Sequence, residues 1–363
     1  MNTYYMKKLV EEIRASEFDA MLISPGEELN FLLDFEPLFC ERFQGLFVKA
    51  DGTMFYICNL LYEEEFRKAF PEEIRIYSWF DGDVMTEVVE RVLKEQGLIG
   101  AVIGVNSTAQ AFNVLEIMDK VEVQFKNGKP LLEQMRQCKT AEELQALRDS
   151  ARVVDQVFEE VQSFIHPGQT EGEIQQFLLR RMTELGGKQA ECLVGCGANS
   201  SYPHYNDCKG IVQKQDMILL DYGCTVRGMY SDMTRMIFVG EPTDRQREAY
   251  ELVVKSNLEA EKLVKEGAYI PDIDKRAREV LDEKGYAHTL INRLGHGVGY
   301  TIHEAPDIKQ SNKGTLKKGM AFSIEPGVYF AGDFGIRIED VVIVNEEGNG
   351  EPLNHATKDM VIL

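Results

Sequence analysis

Histidine is scarce: none occurs before His166, and the 363 residues hold six. The first third therefore has no imidazole for acid–base work or metal binding, and no catalytic cluster is expected there. Basic residues are also in deficit. Forty Lys and Arg face sixty Asp and Glu, a formal net charge of −20. That balance argues against nucleic acid and against anionic membrane surfaces as partners. No run of about 18 apolar residues exists, so no membrane-spanning helix is expected. The first residues lead straight into an amphipathic pattern with no apolar signal-peptide core. The seven cysteines (40, 58, 138, 192, 196, 208 and 224) are odd in number and scattered. Cys192 and Cys196 have a zinc-like gap, but no second Cys/His pair follows at zinc-finger spacing. Free thiols and a cytoplasmic location are the expectation.

What is present is an ordinary globular composition, 44% apolar and 28% charged, on a chain long enough for two domains. Residues 4–15 read as an amphipathic helix and 20–24 as a short strand. Strands at 42–50 and 53–58 flank Asp51-Gly52, the strongest hairpin signal in the chain. Helical patterns at 60–70, 84–96 and 109–118 alternate with strands at 74–77, 101–104 and 121–125, which makes an α/β domain. The turn-rich Asn127-Gly128-Lys129-Pro130 is the expected boundary, giving domains 1–128 and 129–363. In the second, Thr140 and Thr170 each begin a capping box. Helices are also expected at 245–265 and 273–284, with β segments between. The fold class is mixed α/β (α+β).

Those β segments carry the candidate chemistry. Ile218-Leu219-Leu220 is an apolar run that ends on Asp221. The link Thr225-Val226-Arg227-Gly228 turns the chain, and the returning strand carries Asp232. With a turn centred between Val226 and Arg227, the two carboxylates would sit opposite each other. The plan repeats further on, where Glu325 and Glu339 are equidistant from Gly332. Like charges opposite on a sheet are destabilising, and burying them unpaired is worse. Salt bridges to Arg235 and Arg337 would need more buried cations than these strands supply. Between the hairpins lies Gly295-His296-Gly297, whose glycines are read as leaving room beside the imidazole; His303 follows seven residues on. Four carboxylates balance two divalent cations. Oxygen-rich donors with one imidazole suit Mn²⁺, taken first, or Co²⁺, Zn²⁺ or Fe²⁺. Two metals activate water and clamp a substrate oxygen, so metal-assisted hydrolysis is the expected chemistry. The stretch Gly195-Cys196-Gly197-Ala198-Asn199-Ser200 lacks the last glycine and the helix of a phosphate loop.

The set Leu220-Asp221-Tyr222-Gly223, Ser231-Asp232-Met233-Thr234-Arg235, Gly295-His296-Gly297-Val298-Gly299, His303-Glu304-Ala305-Pro306, Ile324-Glu325-Pro326-Gly327 and Arg337-Ile338-Glu339-Asp340 resembles the pita-bread metallopeptidases. It is most similar to the Xaa-Pro dipeptidase (prolidase) and aminopeptidase P branch. The first third resembles the creatinase-type N-terminal domain of that branch. The resemblance implies a dinuclear site in which Asp221 binds one metal, His296 and Glu325 the other, and Asp232 and Glu339 bridge both. It implies that Glu325 also shuttles a proton, that His204 and His303 act on the substrate as oxyanion-type donors, and that Arg337 orients ligands or substrate. The implied substrate is a proline-containing di- or oligopeptide, cut before proline. That bond has no N–H for a protease to grip. The implied assembly is a homodimer, with the loop from Phe35 to Phe43 reaching the other subunit's site. Three features depart from the family pattern: Asn292 stands where many prolidase-like members have histidine, Ala305 is more typical of aminopeptidase P-like members, and the loop Asn199-Ser200-Ser201-Tyr202 before Pro203-His204 differs from the usual small-residue version. A dipeptidase is the first expectation and an aminopeptidase the second. A non-catalytic peptide-binding member, or a metal-independent creatinase-like hydrolase, ranks lower because all five ligand positions are kept.

Overall fold

In the computed structural model, which describes residues 1–363, the chain forms two units, 1–136 and 137–363. The first is built on six strands: β1 (Ala20–Ile23), β2 (Gly45–Lys49), β3 (Met54–Asn59), β4 (Arg75–Trp79), β5 (Val102–Val105) and β6 (Gln124–Asn127). They lie in the order β4-β3-β2-β1-β5-β6. The central pairs β1–β2 and β2–β3 are antiparallel and the flanking pairs parallel. The helices are α1 (Thr3–Arg14), α2 (Glu27–Leu33), α3 (Glu63–Ala69), α4 (Met85–Glu95), α5 (Ala111–Lys120) and α6 (Lys129–Gln137). The Asp51-Gly52 hairpin forms, with Val48 opposite Met54. Helix α2 was not anticipated; it is short and buries Leu29, Phe31, Leu32 and Leu33.

The division between units falls after Arg136, one helix later than the 128/129 boundary read from sequence. The turn-rich Asn127–Pro130 is the entrance to α6. The Asn127 side chain accepts from the Lys129 N–H, and Pro130 occupies the first helical turn, where its missing N–H is not needed. Leu132 and Met135 are buried, and the Arg136 guanidinium lies over the Phe31 ring. These contacts tie the helix to the first unit.

The second unit has helices α7 (Ala141–Val161), α8 (Glu171–Glu184), α9 (Asp244–Glu261) and α10 (Ile270–Asp282). The expected capping boxes at Thr140 and Thr170 are present, and a third opens α9 at Thr243. Its strands are β7 (Lys188–Cys196), β8 (Met217–Val226), β9 (Met229–Tyr230), β10 (Met233–Phe238), β11 (Gly295–Gly297), β12 (Glu304–Ile308), β13 (Ala321–Ile324), β14 (Gly327–Phe330), β15 (Phe334–Arg337), β16 (Asp340–Val344), β17 (Gly350–Pro352) and β18 (Val361–Ile362). One sheet runs β18-β10-β8-β7, a second β12-β11-β13-β16-β17, and β14–β15 form a ribbon. Helices α7 and α8 pack on the first sheet through Val154, Phe158, Ile174 and Leu178 against Val194, Leu220 and Tyr222. Helices α9 and α10 cover the second through Ala260, Ile273 and Ala277 against Phe322, Ile324 and Val342. With helices outside, both sheets turn their other faces inward, and an isolated bridge between Thr234 and Glu339 joins them.

The two hairpins meet expectation differently. On β13–β16 and β14–β15, Ile324 faces Asp340 and Gly327 faces Arg337, which centres the register on Gly332 as expected. On β8–β10 the register is shifted: Asp221 faces Thr234, not Asp232. The turn is Arg227-Gly228, both at positive φ, as a two-residue hairpin loop of the twisted kind requires. Asp232 therefore lies beside Gly223, diagonal to Asp221. The shift is an even number of residues, so both side chains stay on one face. Gly223 is glycine for a reason: a Cβ there would meet the Ser231 carbonyl oxygen at 2.1 Å.

Candidate metal centre

Where the two sheets meet, a cavity of about 610 Å³ opens to solvent. Asp221, Asp232, His296, Glu325, Glu339, Arg337, His204 and His303 all line it, so every sequence-predicted site residue converges on one space. Strand alternation explains much of this. Asp221 and Gly223 share a face of β8, and Glu339 leaves the end of β15–β16 toward β10. His296 is held in the middle of β11, its Nδ1 against the Gly297 carbonyl at 3.1 Å and its Nε2 toward the carboxylates. That nitrogen is 3.3 Å from Glu325 Oε1 and 3.6 Å from Asp232 Oδ2. Donor atoms of Asp232, His296 and Glu339 all lie within 4.8 Å of one another, and all three residues are buried.

The glycines flanking His296 have a different purpose from the one expected. A Cβ on Gly295 would meet the Ser323 carbonyl oxygen at 1.9 Å, and one on Gly297 the Ala305 carbonyl oxygen at 2.3 Å. They let neighbouring strands approach β11, which fixes the imidazole rather than clearing space around it. The edge of the His303 ring meets the His296 ring, centroids 4.2 Å apart. His204 is exposed at the cavity mouth.

The charges do not cancel within the protein. Arg235, one of two arginines weighed as counter-ions, faces the other way, against Asp340 at 2.6 Å and the Ala356 and Glu339 carbonyls. Arg337 does enter the site. It donates to Asp221 at 2.6 Å, Tyr329 Oη at 2.8 Å and Thr234 Oγ1 at 2.9 Å, and is 3.9 Å from Glu339. It serves one carboxylate fully. Asp232, Glu325 and Glu339 share only what remains and a neutral imidazole. Burial, then the charges of Glu339, Asp221 and Glu325, push Asp232 well above the usual carboxylate range. Burial, then Glu325 and Asp221, do the same to Glu339. Glu325 is pushed up to about 7, chiefly by burial, against the pull of Arg337. Burial, then His303, hold His296 down at about 3. Buried carboxylates in this condition need a cation or a proton each. The donor set, carboxylate oxygens and one imidazole nitrogen, fits a divalent metal with oxygen preference. The residues present therefore fit such ions.

Residues 145–346 match the metallopeptidase family M24, and residues 6–138 match the creatinase/prolidase N-terminal domain. The chain belongs to metallopeptidase family M24. Among solved structures it is similar to a dipeptidase from Pyrococcus horikoshii, 34% identical with a TM-score of 0.89, covering 99% of this chain and 100% of that one. It is also similar to dipeptidase PepE from Mycobacterium ulcerans, 28% identical, TM-score 0.93, covering 99% and 97%. A third is a prolidase from Thermococcus sibiricus, 29% identical, TM-score 0.90, covering 99% and 98%. The expected creatinase-like N-terminal domain and pita-bread catalytic domain are thus both present, and membership of a metallopeptidase family implies divalent metal ions.

Sequence reading missed the residues that hold the M24 carboxylates in place. Thr234 Oγ1 donates to Glu339 Oε2 at 2.6 Å while accepting from Arg337. Ser323 Oγ donates to Glu325 Oε1 at 3.2 Å and accepts the His296 backbone N–H at 3.1 Å. Each stands two residues from a carboxylate on a strand, hence on the same face. That spacing was a usable signal. Asn292, singled out as a departure, approaches Glu325 Oε2 at 3.4 Å.

Proposed function

We propose that this M24 protein hydrolyses the bond before proline in Xaa-Pro dipeptides, using two divalent metal ions. The observation that carries the reading is the cation-deficient group of buried Asp232, His296 and Glu339 with the partly buried Glu325, beside Asp221 in one open cavity. Asp221 would hold one ion, His296 and Glu325 the other, with Asp232 and Glu339 between. Bound there, the ions supply Lewis-acid polarisation of the scissile carbonyl and lower the pKa of water.

The protein's own groups do the rest. Glu325, with a carboxyl poised near neutrality in the metal-free chain, takes the proton of the attacking water and passes it to the departing proline nitrogen. That nitrogen carries no hydrogen in the peptide, so it must be protonated to leave. His303 and His204 face the cavity and donate to the carbonyl oxygen as negative charge develops. Burial, then Arg293 and His204, lower the His303 pKa, so its donor near neutral pH is a neutral ring N–H. Arg337 fixes Asp221 by a charge-assisted bond and so orients a ligand carboxylate.

Mn²⁺ is our first choice among Mn²⁺, Co²⁺, Zn²⁺ and Fe²⁺, because four carboxylates outnumber the single imidazole. We place the protein in the cytoplasm, in keeping with seven unpaired cysteines. A homodimer is the assembly we infer, from the exposed Leu38, Phe39, Leu60 and Leu61 of the first unit. The cavity of about 610 Å³ favours a second reading, an aminopeptidase acting on longer Xaa-Pro peptides. Hydrolysis of Ala-Pro and Ala-Pro-Pro by the Mn²⁺- and Co²⁺-loaded protein separates the two. Cleavage of the dipeptide alone supports the first reading, and cleavage of neither sinks both.

A further inference from the structure

One buried ion pair has no part in the chemistry above. Lys139 lies just before α7, and its Nζ donates to Glu304 Oε1 at 2.5 Å across 165 positions of sequence. Both side chains are only 3% exposed, so the pair is sealed from water. Sealing two charges costs desolvation that their attraction barely offsets, and apolar side chains of like volume often serve as well. Stability alone does not account for the pair. Its place in the fold does, because Glu304 directly follows His303.

His303 needs support from outside the sheet. Residues 298–303 form bends and belong to no helix or strand, so no ladder of backbone bonds fixes the imidazole. Regular pairing starts again at Glu304, which faces Gly297. Glu304 Oε2 is approached by the Thr301 N–H at 3.4 Å. The Thr301 hydroxyl is shared between that oxygen at 3.4 Å and the His303 carbonyl at 3.2 Å. The bend wraps so closely on the pair that a Cβ on Gly299 would meet Glu304 Oε1 at 2.5 Å and Lys139 Cε at 2.7 Å. Lys139 is anchored independently of the bend. Its N–H donates to the Gly319 carbonyl at 2.8 Å, and neighbouring Cys138 bridges to Met320, at the entrance to β13. A fixed cation thus holds Glu304, Glu304 holds Thr301, and Thr301 holds the backbone of His303.

We propose that Lys139 is a positioning residue for His303, acting through Glu304 and Thr301 to set where the imidazole stands against His296 and the substrate carbonyl. The proposal rests on the role given to His303 above. Neither Lys139 nor Glu304 lines the cavity, so neither touches a reacting atom. A donor that acts on charge developing in the transition state shows its misplacement in kcat, with KM nearly unchanged.

The test uses the full-length, Mn²⁺-loaded protein on Ala-Pro. Lys139→Met alone leaves Glu304 buried without a cation and destabilises the fold. The informative variant is therefore Lys139→Met with Glu304→Leu, an apolar pair whose urea midpoint should return close to the wild type. Its kcat should still be down about 10–100-fold, the scale of a misplacement of about 1 Å, with KM nearly unchanged. Recovery of kcat together with the midpoint overturns the proposal and leaves the pair structural. Thr301→Val cuts the last link without touching a charge and should lower kcat in the same way; unchanged kcat there overturns the route. In a His303→Gln background the double substitution should cost nothing further, because both changes act through one group. A full additional loss overturns the proposal. The ring resonances of the six histidines in the Zn²⁺-loaded protein give a readout without turnover. In the double variant the His303 signals should move while those of His166 and His288, on other segments, stay. Unmoved His303 signals overturn the proposal. If the wild type cleaves no Xaa-Pro peptide, the peptidase reading fails and the ring signals alone decide the role of Lys139.

Discussion

Glu339 and Asp340 are neighbours on one strand, both almost wholly buried, and they belong to opposite kinds of charge cluster. Strand alternation sends Glu339 into the cavity with Asp232 and Glu325, and Asp340 to the far side. There Arg235 meets Asp340 at 2.6 Å, and Lys358 bridges Asp340 and Glu261. Burial pushes Asp340 up, yet Arg235 and Lys358 together hold it below the usual carboxylate value. Glu339, equally buried, stands well above it. The difference is not depth but partners. Asp340 has its cations built into the chain; Glu339 is left short of them, the condition that suits the ion-binding role we propose for it. Two adjacent residues show both conditions.

Substitutions break the contrast in opposite directions. The largest effect is expected from Asp232→Asn, which should remove Ala-Pro hydrolysis to below detection while far-UV circular dichroism stays that of the wild type. Wild-type turnover in that variant would sink the assignment. On the closed side, Asp340→Asn leaves Arg235 buried beside a neutral group. It should lower the unfolding free energy by about 3–5 kcal/mol, measured by urea denaturation. A loss near zero would mean that the Arg235–Asp340 pair does not stabilise the fold. Arg337→Met frees Asp221 from its guanidinium, and metal affinity or activity should drop about 10–100-fold, read by metal titration. Titration extends the comparison. In the metal-free protein Asp232, Glu325 and Glu339 have raised pKa values, so the folded state binds protons more tightly than the unfolded chain. Their contribution to stability is greatest below the usual carboxylate range and declines as pH rises, the part due to Glu325 being lost as pH passes about 7. Thermal melts from pH 5 to pH 8 should show this decline, flattened in Glu325→Gln and reversed when metal is added. At the small end, the exposed Lys255–Glu283 pair is a third kind of charge contact. Breaking it with Lys255→Ala should change stability by about 0–1 kcal/mol in denaturant melts.

Most of the candidate centre was legible because its chemistry is written as type and spacing: carboxylates at the ends of apolar runs, glycines around one histidine. The Glu325/Glu339 register could be read because the link around Gly332 is symmetric. The Asp221/Asp232 register could not, since two-residue turns at Val226-Arg227 and at Arg227-Gly228 look alike until φ is known. The reading survived because a shift of two keeps the face. Asn127–Pro130 misled because proline and asparagine mark helix starts as readily as linkers. The destination of Arg235 was beyond sequence, since it depends on strands far apart in the chain meeting in space.

The most direct test of the centre is to strip the protein of metal, add Mn²⁺ in steps, and follow Ala-Pro hydrolysis alongside bound metal. The account predicts no turnover at the start and recovery that saturates near two ions per chain, with proton release on binding. Undiminished hydrolysis after chelation, or full metal binding with no hydrolysis of any Xaa-Pro peptide, would contradict it.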